Sequence, residues 1–206
     1  MTAVKPDVPN LKPAQIDEAS QVLARAFFDD PMTMYVVPDD EKRRRSLPWF
    51  FRLAARYGDN WGEAFTTPGK VDAAAIWLPP GGNIASTTRM IRLGLLAAPF
   101  KFGLSSFMRF TKALNHLEHL HKRDVPPEHW YLFVLGVDPE RQGKGVGGAI
   151  IQPVLERADK DQLPCYLETM KERNVTFYKK HGFEVVVDDV FPDGPRYWTM
   201  KRDPIG

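Results

Sequence analysis

Apolar residues near the N-terminus recur at three- and four-residue intervals, which is the spacing of one buried helix face. In this segment they are Ile16, Ala19, Val22, Leu23, Ala26 and Phe27. Two aspartates and a proline at residues 29–31 predict the end of this first helix, because proline removes a backbone donor and clashes with the preceding turn.

The next part of the chain predicts a second helix and then two short strands. An amphipathic segment predicts a second helix over residues 39–58, with an aspartate as N-cap and Gly58 at its end. The basic run 43–45 within it is more typical of a solvated helix face than of a phosphate-binding patch. Two short β-like runs follow, "WGEAFTT" and "VDAAAIWLP", and Pro68 and Gly69 between them predict a hairpin.

Residues 79–127 form the least regular part of the pattern. They open with the loop-like "PPGGN" and continue as one or two amphipathic helices. We expect a helical insertion here, packed beside a ligand cleft and placed ahead of the central strand.

The last third of the chain alternates clearly between strands and helices. The apolar run "WYLFVLGV", residues 130–137, is typical of a central strand covered on both faces. Its glycine, Gly136, predicts a β-bulge. A glycine-rich loop, a helix containing Pro153, a strand, a helix and two further strands follow. The pattern indicates one α/β domain over residues 1–206.

Composition narrows the functional classes. A formal net charge of +2 over 206 residues is too small to favour nucleic acid as a partner. The N-terminal segment has no apolar core of signal-peptide length, and basic residues interrupt the longest apolar stretches, so we expect no membrane span. The single cysteine, Cys165, excludes an internal disulfide and is typical of a buried strand thiol. We therefore expect a cytoplasmic protein, with its oligomeric state open.

The histidine-rich "HLEHLH" raises the question of a metal site. Of His116, His119 and His121, only the first two share a helix face, and their order differs from the helical zinc-protease signature. We expect no metal here.

Three kinds of phosphate loop compete for "LGVDPERQGKGVGG", residues 135–148. A Walker-type loop requires Ser or Thr after its lysine, whereas Gly145 follows Lys144. A dinucleotide fingerprint is spelled by Gly143, Gly145 and Gly148, with an acidic residue about 20 positions further on. Five residues separate its first glycine from the strand, however, and too little chain follows for the second half of a nicotinamide-binding fold.

The third possibility uses the whole loop. Residues 141–147, "RQGKGVG", match the R/Q-x-x-G-x-G/A signature of the GNAT superfamily of N-acetyltransferases, which this chain resembles. The resemblance implies a single domain with a mixed central sheet flanked by helices. It also implies that backbone N–H groups of the loop, with the following helix N-terminus, hold the pyrophosphate of acetyl-coenzyme A.

A second motif supports the resemblance. "RNVTFYKKHGF" is similar to a later motif of the superfamily, which implies that Asn174 bonds the pantetheine arm and that Tyr178 protonates the leaving thiolate. The backbone amide near Val137 is the oxyanion donor that the resemblance implies. The expected cofactor-binding residues are Leu135, Gly136, Val137, Arg141, Gln142, Gly143, Lys144, Gly145, Val146, Gly147, Asn174 and Tyr178.

Further segments, among them "AFFDDP" and "GPRYWTMKRDP", resemble puromycin N-acetyltransferase and its relatives. The implied reaction is direct attack of a primary amine on the thioester of acetyl-coenzyme A, with a small molecule favoured as the acceptor. Tyr178 and Glu168 are the candidate catalytic groups, with Glu168 as proton acceptor. Asp30, Tyr35 and His129 are candidates on the acceptor side. A protein N-acetyltransferase and a non-catalytic acyl-coenzyme A sensor remain alternatives.

Overall fold

The computed structural model describes residues 8–81 and 86–205. The helices are α1 Ile16–Ala26, α2 Pro31–Val36, α3 Asp40–Trp61, α4 Thr87–Leu93, α5 Ala98–Phe102, α6 Leu104–Asp124, α7 Val146–Lys160 and α8 Glu172–Lys179. The strands are β1 Glu63–Thr66, β2 Ala73–Leu78, β3 Trp130–Val137, β4 Cys165–Thr169, β5 Glu184–Val190 and β6 Arg196–Arg202. Residues 1–7 and 206 of the expected domain, and 82–85 of the expected insertion, lie outside the described residues.

The strands form one sheet in the order β1-β2-β3-β4-β6-β5. The β3–β4 pair is parallel and the other neighbouring pairs are antiparallel. The predicted mixed sheet with flanking helices is therefore confirmed. The hairpin predicted around Pro68 and Gly69 is the β1–β2 pair.

Helices cover both faces of the sheet, so β2 is buried throughout, and β3 alternates between buried and half-buried residues. On one face α7 and α8 pack over a core that includes Trp77, Leu132 and Ile151. On the other face α1 and α3 enclose a second core that includes Leu23 and Ile76. This double cover explains why the sequences of β2 and β3 are almost continuously apolar.

A bulge lies in β3, but it is not at the predicted position. Ile76 pairs with Val134 and the next residue, Trp77, pairs with Leu132, so Phe133 is the extra residue. Gly136 instead pairs regularly with Ala74. A Cβ on Gly136 would lie 2.6 Å from Leu23 Cδ2, so glycine is present there because α1 packs against the strand.

Strands β3 and β4 separate soon after they meet. Within the described part of the chain they pair only at Trp130 with Cys165 and at Tyr131 with Tyr166. Beyond Tyr131, β3 keeps β2 as a neighbour on one side and faces an open slot on the other. The slot leads to the C-terminal ends of both strands.

The predicted end of the first helix is confirmed, yet a short helix that the pattern did not indicate begins directly after it. Asp30 caps α2 by accepting a hydrogen bond from Met32 N at 3.0 Å, and Pro31 occupies the first helical position. Proline is favourable there because the first helical N–H has no intrahelical partner. The proline that ends one helix thus starts the next.

Candidate functional site

A cleft of about 750 Å³ opens at the slot between the separated strands. Its walls are the end of α1, residues 135–137 of β3, the glycine-rich loop, the first turn of α7 and one face of α8. Most of the residues expected to bind the cofactor therefore lie together around one cavity.

The glycine-rich loop presents backbone donors to this cleft. Gly143 and Gly145 have φ values of +75° and +79°, a region that residues with a Cβ rarely adopt. Gly145 is the N-cap of α7, and no side chain of the described residues caps this helix. The N–H groups of its first turn, together with the helix dipole, favour an anion at this end of the cleft.

Side chains of the loop divide into those that face the cleft and one that does not. Arg141 lines the cleft, and its Nε lies 2.9 Å from Asp72 Oδ2. Gln142 donates from Nε2 to the carbonyl of Val137 at 3.0 Å. Lys144 donates to the Glu140 carbonyl at 2.9 Å and is not among the described residues that line the cleft, so its role toward phosphate stays a prediction.

The slot-facing edge of β3 offers further backbone groups. Asp138 N donates to Asp72 O, on the β2 side. Because successive residues of a strand alternate in hydrogen-bonding direction, the N–H groups of Val137 and Leu135 point away from β2, into the slot. Gly136 lines the cleft with its backbone while its own pairing groups face β2.

Helix α8 places its two motif residues on one face, one turn apart. Asn174 Nδ2 donates to Thr169 Oγ1 at 3.0 Å, which fixes the amide at the cleft wall. Tyr178 is 6% exposed, with its ring against Phe177 and Phe183. Burial, reinforced by the negative charge of Asp30, raises the pKa of Tyr178, so its hydroxyl stays protonated at neutral pH.

A second cavity of about 200 Å³ lies beneath α2, α3, α5 and α6. Its lining is mainly aromatic and aliphatic. The phenylalanines on its walls are Phe27, Phe50, Phe51, Phe102, Phe110 and Phe133. The residues that line both cavities are Phe27, Asp30, Leu135, Asn174 and Tyr178. The two cavities therefore meet at the Tyr178 side chain.

Two carboxyl groups reach the second cavity. Asp30 is buried, and this burial raises its pKa, although Lys171 Nζ at 3.9 Å from Oδ2 opposes the shift. Glu168 lies on the wall at the end of β4 and accepts a hydrogen bond from Tyr131 Oη at 2.7 Å. Burial, together with the Glu168 charge and this bond, raises the pKa of Tyr131.

The other two acceptor-side candidates lie away from both cavities. Tyr35 packs beside Gly194, within 3.4 Å of where a Cβ would stand. His129 is buried behind Glu168, bonded to His121 at 2.6 Å between the Nε2 atoms. Neither is among the described residues that line these two cavities, so direct contact of Tyr35 or His129 with an acceptor stays a prediction.

Sequence reasoning missed Tyr131 and the aromatic lining. In the sequence Tyr131 is one residue of an apolar strand, and no signal links it to Glu168, which lies on another strand. Phe27 follows directly after α1, and the others come from α3, α5, α6 and β3, where each one fits an ordinary core position. Only the assembled fold turns them toward a common space.

The structure also bears on the expectations about a metal site, a membrane span and the cysteine. In residues 8–81 and 86–205, no cluster of three metal-ligating side chains is found. Within the same ranges no helix is both long and apolar enough to span a bilayer. His116 Nε2 lies 2.8 Å from the Tyr197 hydroxyl, in an internal hydrogen bond. Burial raises the pKa of Cys165 to about 12, as expected of a structural thiol.

Comparison with known sequences gives a consistent assignment. Residues 112–185 match the model of an acetyltransferase (GNAT) domain. An uncharacterized N-acetyltransferase of Schizosaccharomyces pombe is 27% identical over 172 residues, which cover 81% of this chain and 69% of that protein. A mycothiol acetyltransferase of Propionibacterium freudenreichii is 39% identical over 62 residues, or 29% of this chain and 20% of that one.

Solved structures share the fold. The protein described as histone acetyltransferase HPA2 and related acetyltransferase, from Corynebacterium glutamicum, superposes with a TM-score of 0.69 at 22% identity, covering 98% of each chain. Arylalkylamine N-acetyltransferase 2 from Aedes aegypti superposes with a TM-score of 0.62 at 14% identity, covering 95% of this chain and 97% of that one. With the loop at the start of α7, these findings show that residues 112–185 are similar to a GNAT acetyltransferase domain and that the chain shares the fold of the solved acetyltransferases.

Proposed function

We propose that the protein transfers the acetyl group of acetyl-coenzyme A to the primary amine of a small molecule with an apolar body. One observation carries this proposal: a cleft with an anion-binding end and a separate aromatic cavity converge on the buried side chain of Tyr178. Such convergence suits a direct reaction between two substrates held at the same time.

The larger cleft fits coenzyme A. The pyrophosphate would lie on the loop and the first turn of α7, where Arg141 adds positive charge. The pantetheine arm would follow the slot-facing edge of β3, meeting the N–H groups of Leu135 and Val137. The carbonyl of Val137 is already bonded to Gln142, so its slot-facing N–H, near the end of the strand, is the candidate oxyanion donor.

The chemistry follows from the groups at the junction. The amine nitrogen attacks the thioester carbon, forming the C–N bond as the C–S bond breaks. Glu168 takes a proton from the amine, and Tyr178 gives a proton to the departing thiolate. The products are the amide and free coenzyme A, and water that enters when they leave takes the proton from Glu168 and returns one to Tyr178.

The second cavity favours a compact apolar amine. Six phenylalanines and about 200 Å³ suit an aromatic or branched aliphatic group, while Asp30 and Glu168 supply negative charge for the amine. We further propose that residues 1–206 form one acetyltransferase domain and that the insertion 79–127 shapes this acceptor side, since Phe102 and Phe110 belong to it.

A thiol-release assay with acetyl-coenzyme A tests the proposal. The panel should include an arylalkylamine such as 2-phenylethylamine, a polar amine such as agmatine, puromycin, and peptides with free N-termini or lysines. We expect a higher kcat/KM for the arylalkylamine than for agmatine. A preference for peptides would support the protein N-acetyltransferase alternative, and calorimetric binding of acetyl-coenzyme A without turnover of any amine would support the sensor.

A further inference from the structure

A row of buried polar groups extends from the acceptor cavity into the protein behind Glu168. The Oε1 atom of Glu168 lies 3.6 Å from Nδ1 of His121, and the two side chains are 7% and 1% exposed. The Nε2 atom of His121 lies 2.6 Å from Nε2 of His129. Finally, Nδ1 of His129 lies 2.6 Å from the carbonyl oxygen of Pro126.

The carbonyl at the end of the row determines the proton positions. A carbonyl oxygen can only accept, so Nδ1 of His129 carries hydrogen and donates to Pro126. Burial lowers the pKa of His129, so at neutral pH its Nε2 holds a lone pair. The Nε2 of His121 must then donate to it. In neutral His121 the remaining nitrogen, Nδ1, then carries a lone pair, and it lies 3.6 Å from Oε1 of Glu168.

This arrangement leaves a place for one more proton. Nδ1 of His121 is buried without a hydrogen-bond partner among the described residues, and an ionised Glu168 would present only another acceptor to it. Two buried acceptors facing each other are unfavourable until a proton lies between them.

Other titratable groups surround the row from each element packed against it. The His121 ring contacts Tyr131 of β3 and Tyr166 of β4, each with ring centroids 4.4 Å apart. Tyr166 in turn lies in the field of Asp124 and Arg123, which form an ion pair at the end of α6. The tyrosines have raised pKa values and stay neutral. Glu168 and His129 are thus the groups in the row that meet His121 directly.

We propose that His121 is a positioning residue that receives from Glu168 the proton removed from the acceptor amine, while His129 stabilises the resulting imidazolium. The proton moves from the amine to Glu168 and then to Nδ1 of His121, which keeps its Nε2–H donated to His129. When the amide leaves, the proton returns through Glu168 to the water that fills the cavity. This inference rests on the proposed acetyl transfer, since it extends the role of Glu168.

The kinetic test compares two histidines of the same helix. His121→Asn can still offer an amide toward Glu168 but cannot carry a proton, and His116→Asn is the matched control because His116 bonds Tyr197, outside the row. For His121→Asn we expect kcat to fall by about 10- to 100-fold with KM for the amine nearly unchanged, and a displaced acidic limb of the kcat/KM profile. His116→Asn should keep both the rate and the profile.

Normal kcat and an unchanged profile in folded His121→Asn would overturn the inference, because hydrogen bonding alone would then suffice. A second measurement needs no turnover. In ¹⁵N spectra of the free protein at one neutral pH, Glu168→Gln should shift the Nδ1 resonance of His121 and leave the His116 resonances unmoved; an unaffected His121 would also overturn the inference. If wild type acetylates no amine, the proposed function fails while this spectral comparison still decides whether Glu168 and His121 are coupled.

Discussion

At the scale of single residues, Tyr178 joins the two halves of the site. Its side chain lines both cavities, whereas its ring is a packed part of the core beneath α8. A hydroxyl can therefore be removed there without removing the packing.

Replacing Tyr178 by Phe should lower kcat by about 10²- to 10³-fold, because the thiolate would lose its proton donor. Calorimetric affinity for acetyl-coenzyme A should be unchanged, since the ring remains. The control is Tyr197→Phe. Tyr197 is also buried, but its hydroxyl is hydrogen-bonded to His116 and it lines neither cavity, so this variant should retain its kcat. Near-normal turnover of a good acceptor by Tyr178→Phe would show that Tyr178 has only a packing role.

Gly145 offers a second test at this scale. Its φ of +79° and its place as N-cap of α7 mean that Gly145→Glu adds both strain and negative charge where phosphate would bind. We expect acetyl-coenzyme A binding to weaken by about 2 to 4 kcal/mol, measured by calorimetry.

Gly69→Glu separates these two effects. Gly69 has a similar φ of +73°, a Cβ there would have no described atom within 4 Å, and the residue lies in the β1–β2 turn. The variant should show comparable strain in thermal unfolding but unchanged cofactor affinity. Equal affinity losses in both variants would mean that strain, and not phosphate contact, explains the effect at Gly145.

Residue patterns predict backbone roles better than side-chain roles. The glycines of the loop lie at the cleft as expected, because their need for positive φ is local. By contrast, Arg43, expected on a solvated face, is buried and donates to the carbonyls of Phe28 and Val37. Nothing local to Arg43 indicates that the loops flanking α2 would leave carbonyls for it to satisfy. Such partners are set by the tertiary fold.

At the scale of elements, the packing of α1 on β3 sets the wall between the cavities. A Cβ on Gly136 would lie 2.6 Å from Leu23 Cδ2 and 3.2 Å from both Ala26 Cβ and Phe27 Cε2. Phe27 is one of the residues common to both cavities, so any displacement of α1 reaches both.

Gly136→Ala should lower the free energy of unfolding by about 1 to 3 kcal/mol, because the helix must move to relieve the overlap. Denaturant titration measures this loss. In a Leu23→Ala background the effect of Gly136→Ala should be smaller, because the nearest overlapping atom is gone. Strictly additive effects of the two changes would show that α1 adapts elsewhere.

The order of helices and strands could be predicted, but the lateral order of the strands could not. Apolar periodicity reports which residues are buried, and it located β3, α7, β4 and α8 well. It contains no information on β6 lying between β4 and β5, because the β4–β6 pairing joins residues far apart in the chain. The bulge at Phe133 could not be predicted either, because it belongs to the register between β2 and β3.

At the scale of the whole molecule, the site depends on parts that are distant in sequence. Glu168 belongs to β4, His121 to α6 and Asp30 to the cap of α2. Motif resemblance could assign the donor side, since its residues lie mostly within 135–178. The acceptor side could not be assigned in this way, because its walls come from separate elements whose meeting depends on the completed core.

The separation of β3 and β4 also has a consequence for the order of events. Leu135, Asn174 and Tyr178 form a partition shared by both cavities, and the open slot beside them interrupts it. The thioester of an acyl donor bound in the slot would fill the gap in this partition. The wall of the amine-binding cavity is therefore complete only after the donor has bound. We therefore expect compulsory-order kinetics: coenzyme A should inhibit competitively against acetyl-coenzyme A, and the amine should bind measurably only to the donor-loaded protein. The gap between β3 and β4 would then make binding of the acceptor amine depend on prior binding of the acetyl donor.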